Sequence, residues 1–148
     1  RLIYVEFHDG IEEIEADAFR GCPGLGGRIR LMGVKIIGYC AFYNCGGLTE
    51  VEFGVKLQTI EAFAFNNCRS LRTITMPSVR NIRSYAFSGC EHLTDLDLPE
   101  GLETIGISAF SYCKRLGRIA IPLNCMIGVD VLAFCPKLTT VDLVGGIH

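Results

Sequence analysis

The stretch Ser84-Tyr-Ala-Phe-Ser-Gly-Cys-Glu-His-Leu-Thr-Asp-Leu-Asp-Leu-Pro99 decides how the chain folds, because its spacings recur along the whole sequence. An Ala-Phe pair stands at Ala18-Phe19, Ala41-Phe42, Ala64-Phe65, Ala86-Phe87, Ala109-Phe110 and Ala133-Phe134, at intervals of 23, 23, 22, 23 and 24 residues. In the first five units a Cys follows three residues after the Phe (Cys22, Cys45, Cys68, Cys90 and Cys113), and a Leu stands three further on at Leu25, Leu48, Leu71, Leu93 and Leu116. In the last unit Phe134 is followed at once by Cys135, so that unit reads as two residues short before Leu138 restores the register. A fixed period of this length marks an array of stacked supersecondary units.

Each unit mixes two periodicities. The alternation in Ile74-Thr75-Met76 or Leu96-Asp97-Leu98 is that of a strand with one buried face, and Pro77, Pro99 and Pro122 stop it. After the stop, pairs such as Leu57 and Ile60 or Leu102 and Ile105 read as a second extended segment. Ala-Phe-x-x-Cys then spaces its apolar residues by three and four, which predicts one helical turn with these side chains on one side. Small residues such as Gly21, Gly46 and Gly89 would end that turn. A unit of this size cannot bury its own apolar face, whereas stacked copies share one continuous core under a ladder of parallel strands.

The combination Leu-x-x-Ile-x-Leu-Pro-x-x-Leu-x-x-Ile-x-x-x-Ala-Phe-x-x-Cys resembles the BspA-like variety of leucine-rich repeat protein, and the match covers essentially the whole chain. Gly101 and Val79 stand where the commoner repeat carries Asn or Cys, so no asparagine ladder is expected. The resemblance implies an α/β leucine-rich repeat solenoid, a horseshoe or right-handed superhelix, with a parallel strand ladder on the concave side and short helical turns on the convex side. Residues 1–148 would form a single domain of about six repeats. Similar proteins occur on bacterial and protist surfaces, where attachment to host proteins is one role. The resemblance therefore implies a cell-surface or extracellular setting, although free cysteines leave the cytoplasm open.

Composition narrows the chemistry. The chain has 148 residues, 49% of them hydrophobic and 20% charged, and a formal charge of -2. That charge gives no basic field for nucleic acid or an anionic membrane surface, and no apolar run approaches the ~18 residues of a membrane-spanning helix. Of the eight cysteines, six recur with the repeat while Cys40 and Cys125 lie outside the column. Equivalent cysteines on parallel rungs keep their Cβ atoms near 5 Å apart, beyond the roughly 3.8 Å typical of a disulfide, so a buried column of free thiols is expected. His8, His92 and His148 are scattered and no Cys-x-x-Cys occurs, so neither metal nor cofactor is expected.

No enzyme is expected either. Cys90-Glu91-His92 has the residue types of a thiol site, but Cys90 belongs to the inward column while Glu91 and His92 occupy variable, outward positions. Gly24-Leu25-Gly26-Gly27 lacks the Lys-Ser/Thr ending of a phosphate loop. An insertion before Ile29 and a loss before Ile37 predict a bulge around Gly26-Gly27.

The expected function is a non-catalytic protein-protein interaction module that reads its partner on the outward positions of the concave strand ladder. The candidate residues are Tyr4, Glu6, Arg28, Arg30, Glu50, Glu52, Arg72, Thr73, Thr75, Asp95, Asp97 and Arg118. Glu50, Glu52, Asp95 and Asp97 would make the middle of this face acidic, which suits a basic or mixed-charge protein segment. The competing reading is a structural spacer or cell-surface adhesin array with no specific ligand on that face. Both ends read as ordinary strands without polar caps, so the chain is expected to belong to a longer array, and such ends would permit end-to-end self-association.

Overall fold

The computed structural model describes the backbone of residues 2–145 and the side chains of residues 5–145, so the side chain of Tyr4 and all of His148 lie outside the described residues. The strands β1 (Leu2–Glu6), β3 (Leu25–Leu31), β5 (Gly47–Phe53), β7 (Thr73–Thr75), β9 (Asp95–Asp97), β11 (Arg118–Pro122) and β13 (Thr140–Val144) open successive rungs. The two-residue strands β2 (Glu13–Ile14), β4 (Ile36–Ile37), β6 (Thr59–Ile60), β8 (Asn81–Ile82), β10 (Thr104–Ile105) and β12 (Met126–Ile127) make a second side. All pairings are parallel. The second side is one unbroken sheet from β2 to β12, whereas the first side is two sheets, β1-β3-β5-β7 and β9-β11-β13. The register shifts between Gly27 and Arg28, where Gly27 takes a φ of 72°, so the expected bulge is present.

The expectation of an α/β fold with helical turns is overturned: the chain is a parallel β-solenoid of about six turns, with no helix among the described residues. The reason is visible in the amides of the third side. In the first rung, Ala18, Arg20 and Cys22 donate to carbonyls three residues back, at 3.2, 3.2 and 3.1 Å. The residues between them, Asp17, Phe19 and Gly21, donate instead to Tyr39, Ala41 and Tyr43 of the next rung, at 2.8, 2.7 and 2.7 Å. An α-helix needs every amide for its own i→i−4 ladder, and here every second amide is used between rungs. Positive φ angles recur within the segment, at Asp17, Cys40, Phe63, Tyr85, Ser108 and Asp130, which helical backbone does not allow. The spacing of three and four that suggested a helix arises from consecutive tight turns.

The same bonds correct the last unit. Phe87 N–H donates to Ala109 O, the residue just before its equivalent Phe110. Phe110 N–H donates to Val131 O at 3.0 Å and Tyr112 N–H to Ala133 O at 2.9 Å. Val131-Leu132 therefore lie under Ala109-Phe110, and the last rung is not short. Ala133-Phe134 carries the letters of the repeat out of register, leaving Phe134 67% exposed and stacked on Tyr112 with ring centroids 4.7 Å apart.

Inside, Phe19, Phe42, Phe65, Phe87 and Phe110 stack with centroids 5.1–5.3 Å apart. Leu48, Leu71, Leu93 and Leu116 are buried, as are Ile37, Ile60 and Ile82, beside Ala41, Ala64, Ala86 and Ala109. Each aromatic contact adds about 0.5–1.5 kcal/mol to the area it buries, so the stack holds neighbouring rungs at one spacing along the core.

Candidate interaction site on the strand face

The odd-numbered strands alternate inward and outward residues. Inward positions are uniformly apolar, as in Ile29, Leu31, Val51 and Phe53, while the outward ones carry the charges. The structure sorts the candidate residues into two groups. On β1, β3 and β5, Arg28 reaches Glu50 at 3.6 Å and Glu52 at 3.1 Å, and Arg30 reaches Glu52 at 3.1 Å and Glu6 at 3.8 Å. The hydrogen bonds from Arg28 and Arg30 hold the Glu52 carboxyl below its usual range. On β9, β11 and β13, Arg118 pairs with Asp95 at 2.8 Å, Asp97 at 3.0 Å and Asp142 at 3.0 Å. Asp97 and Asp95, by their hydrogen bonds, push the Arg118 guanidinium still further above its already high value.

Arg72, Thr73 and Thr75 are exposed between the groups and belong to neither. Tyr4 is in register with Arg28, but its side chain is among those not described. The acidic patch expected from Glu50, Glu52, Asp95 and Asp97 is thus divided: the first two carboxylates share two guanidinium groups, whereas three carboxylates, counting Asp142, share Arg118 alone. Ion pairs this exposed add little to stability.

Between the two groups the strand ladder is open. No pairing joins β7 to β9, and most of their Cα atoms are more than 8 Å apart, against the ~4.8 Å of a hydrogen-bonded pair. A groove of about 700 Å³ lies there, lined among others by Ile74, Met76, Pro77, Asp95, Asp97 and Glu100. Each wall is fastened to the rung on its far side: Ser78 Oγ donates to Leu57 O at 2.8 Å, and Arg118 draws Asp95 and Asp97 toward β11. The rungs stay joined elsewhere through the β8–β10 pairing, the Ser88–Ser111 hydroxyl contact at 2.8 Å and the Arg80–Glu103 pair at 2.9 Å. Sequence reading missed the groove and Asp142. The sequence carries no distinct trace of the groove: the turn Pro77-Ser78 between Met76 and Val79 is one residue shorter than Pro99-Glu100-Gly101, but Met32-Gly33 between Leu31 and Val34 is equally short and β3 there is paired with β5.

The thiols form the expected free column. Cys45, Cys68, Cys90, Cys113 and Cys135 each point Sγ at the carbonyl of the preceding rung (Phe19, Phe42, Phe65, Phe87 and Phe110), at 3.1–3.5 Å. Burial pushes the Cys45 thiol up to about 11 and likewise raises Cys68 and Cys90 well above the ordinary thiol range. A hydrogen bond from Cys113 instead lowers Cys135, half-buried on the last rung, to about 7. His92 turns away from Cys90 and sets its Nδ1 against Arg69 O. Among the described residues, no three His, Cys, Asp or Glu side chains converge as metal ligands.

A native iodoacetamide time course at neutral pH should therefore modify Cys135 first. Cys45 should react at least about 100-fold more slowly, from its thiolate fraction alone, and Cys90 more slowly again. Peptide mapping that finds Cys90 alkylated as fast as Cys135 would refute the buried column.

Comparison with known proteins gives a consistent picture. Residues 35–147 match the model of the BspA type leucine rich repeat region, in six copies. The solved structure of a leucine rich repeat protein from T. pallidum is similar over 96% of this chain and 70% of that chain, with 28% identity and a TM-score of 0.84. A leucine-rich repeat protein from Bacteroides ovatus is 32% identical, with a TM-score of 0.84, over 93% of this chain and 36% of its own. A leucine rich cell surface protein from Faecalibacterium prausnitzii, 24% identical with a TM-score of 0.77, shares the fold over 95% of this chain and 47% of its own. No curated protein sequence matches the chain.

Proposed function

Since the chain belongs to the family of BspA-type leucine-rich repeat proteins, and such arrays suggest interaction or adhesion, we propose that it is a non-catalytic module taking a protein partner on the face of its odd-numbered strands. The observation that carries this reading is the contrast along that face. Inward positions repeat one apolar choice from rung to rung, whereas outward positions change between Glu6, Arg30, Glu52, Thr75, Asp97, Ala120 and Asp142. Packing dictates the first set and leaves the second open to a partner. The partner's segment would be basic or of mixed charge, because the carboxylates around Arg118 outnumber it three to one.

The spacer reading has one observation in its favour, that most charges of the face already have partners within it. Pull-down on immobilised wild-type chain, compared with a variant in which Glu50, Glu52, Asp95 and Asp97 are all changed to Ala, separates the two. The expected result is a loss of partner recovery by roughly tenfold or more, the size of effect that removing central charged contacts produces. Equal recovery by the two proteins would leave the spacer.

A further inference from the structure

We propose that the groove between β7 and β9 is a strand-insertion site, in which an extended basic segment of a partner protein completes the ladder as an added parallel or antiparallel strand. The proposal rests on the strand-face reading above and specifies how the partner engages it. The first support is width. Inserting one strand between two others requires the outer pair to stand about 9.6 Å apart, twice the normal ladder spacing. The Cα atoms of β7 and β9 are mostly more than 8 Å apart, while every other consecutive pair on this side is hydrogen-bonded.

The second support is the backbone that faces the gap. Phe7 N–H donates to Arg30 O at 3.3 Å, and Leu98 N–H donates to Ala120 O at 3.0 Å. These are the same bond at two rungs, and its counterpart from Met76 N–H to Asp97 O is not among the backbone bonds of the described residues. Alternate residues of a strand address opposite neighbours, so the groups turned toward the gap are those of Ile74 and Met76 on one wall and Asp95 and Asp97 on the other. Two strand edges facing each other across an open groove are what strand addition uses, with main-chain hydrogen bonds supplying affinity.

The third support is charge. The lining includes Asp95, Asp97 and Glu100 and no Lys or Arg. Asp97 keeps 75% of its side chain exposed despite its contact with Arg118. The apolar floor, Ile74, Met76, Leu96 and Leu98, is slightly more open than the equivalent Val51 and Ile119. A segment alternating basic and β-branched residues meets both demands, its cations toward Asp95, Asp97 and Glu100 and its apolar side chains toward the floor.

The test uses a fluorescein-labelled, acetylated peptide alternating lysine and valine, and an analogue with alternate backbone amides N-methylated, which keeps charge and side chains but loses main-chain donors. Fluorescence anisotropy should show saturable binding of the first peptide to the wild-type chain, and binding of the second at least tenfold weaker. Asp95→Asn with Asp97→Asn should weaken the first peptide severalfold, while Glu12→Gln, an exposed acid outside the strand face, leaves it unchanged. Amide exchange read by NMR should slow at Met76 and Asp97 when the first peptide is bound. No binding of the first peptide, or equal binding of the two, overturns strand insertion. Protection confined to β1, β3 and β5 also overturns it while leaving the strand-face reading standing. Dimerisation that protects the same two amides without peptide would assign the groove to a second copy and overturn the basic-segment assignment. The alanine pull-down can succeed whether or not insertion does, so the two failures are distinguishable.

Discussion

Phe87→Ala should lower the stability of the chain by about 3–5 kcal/mol, the range for removing a large aromatic side chain from a packed core. Phe87 is fully buried and lies between Phe65 and Phe110, each with centroids 5.3 Å away and rings within 2° of parallel. Alanine would leave a void that the flanking rings cannot close without breaking the even rung spacing. The position matters as much as the size. The contact with Phe110 crosses the one boundary where β7 and β9 fail to pair, so the stack carries there a larger share of the interface between rungs. Domain stabilities are commonly about 5–15 kcal/mol, so a loss of this size removes a large part of the total. In urea the midpoint should fall steeply, and the transition should lose cooperativity as the two halves unfold separately, since solenoid stability is a sum of rung and interface terms. Phe42→Ala, between fully paired strands, should keep a single transition. A lone, parallel shift of the whole curve for Phe87→Ala would show that the boundary is no weaker than the others.

Gly33→Ala should cost on the order of 1–3 kcal/mol or more, as overpacking against rigid atoms does. A Cβ built at Gly33 would overlap the backbone carbonyl of Asp9 in the preceding rung. That carbonyl belongs to the chain trace, so it cannot swing aside as a side chain would. The expected response is a local parting of the first two rungs at this corner, seen as faster amide exchange at Val34 together with the lower midpoint. Gly24→Ala is the control. No heavy atom lies within 4 Å of its Cβ and its φ is not positive, so it should be neutral or gain a few tenths of a kcal/mol from the stiffer unfolded chain. Equal losses at the two positions would mean that glycine acts here through flexibility and not through close approach.

The array, its parallel ladder, the free cysteine column and the bulge at Gly26-Gly27 were legible in the sequence because each is a residue type recurring at a fixed interval. The absence of helix was not. Ala-Phe-x-x-Cys has the spacing of a helical turn, and only the destination of alternate amides, a contact about one rung away, distinguishes the two. The register of the last rung was misread for a related reason: Ala133-Phe134 has the right letters, whereas Val131-Leu132 has the right place. The interval from Ile to Cys would have shown it, since Ile14 to Cys22, Ile60 to Cys68 and Ile127 to Cys135 are all eight residues. On the strand face the outward positions were readable from alternation alone. How their charges divide was not, because it depends on which guanidinium reaches across which rung, and the gap beside Thr73 and Thr75 leaves no distinct mark, since the short corner after Met76 is shared by the paired rung after Leu31.

The alternation of local and inter-rung amides on the third side gives the repeat a parity. Adding or removing one residue between Ile and Cys would exchange the two roles for every amide downstream, turning donors meant for the neighbour into the turn and the reverse. That segment is eight residues in all six rungs, including Ile37 to Cys45, Ile82 to Cys90 and Ile105 to Cys113. Length varies instead at the corner after the strand, with three residues from Leu31 to Val34 and from Met76 to Val79 but four from Phe53 to Leu57. Apart from the bulge at Gly26-Gly27 within β3, the array drifts in length at its corners, so reshaping of its surface by insertion or deletion is steered away from the Ile-to-Cys segment and toward the edge where the strand face meets the second sheet.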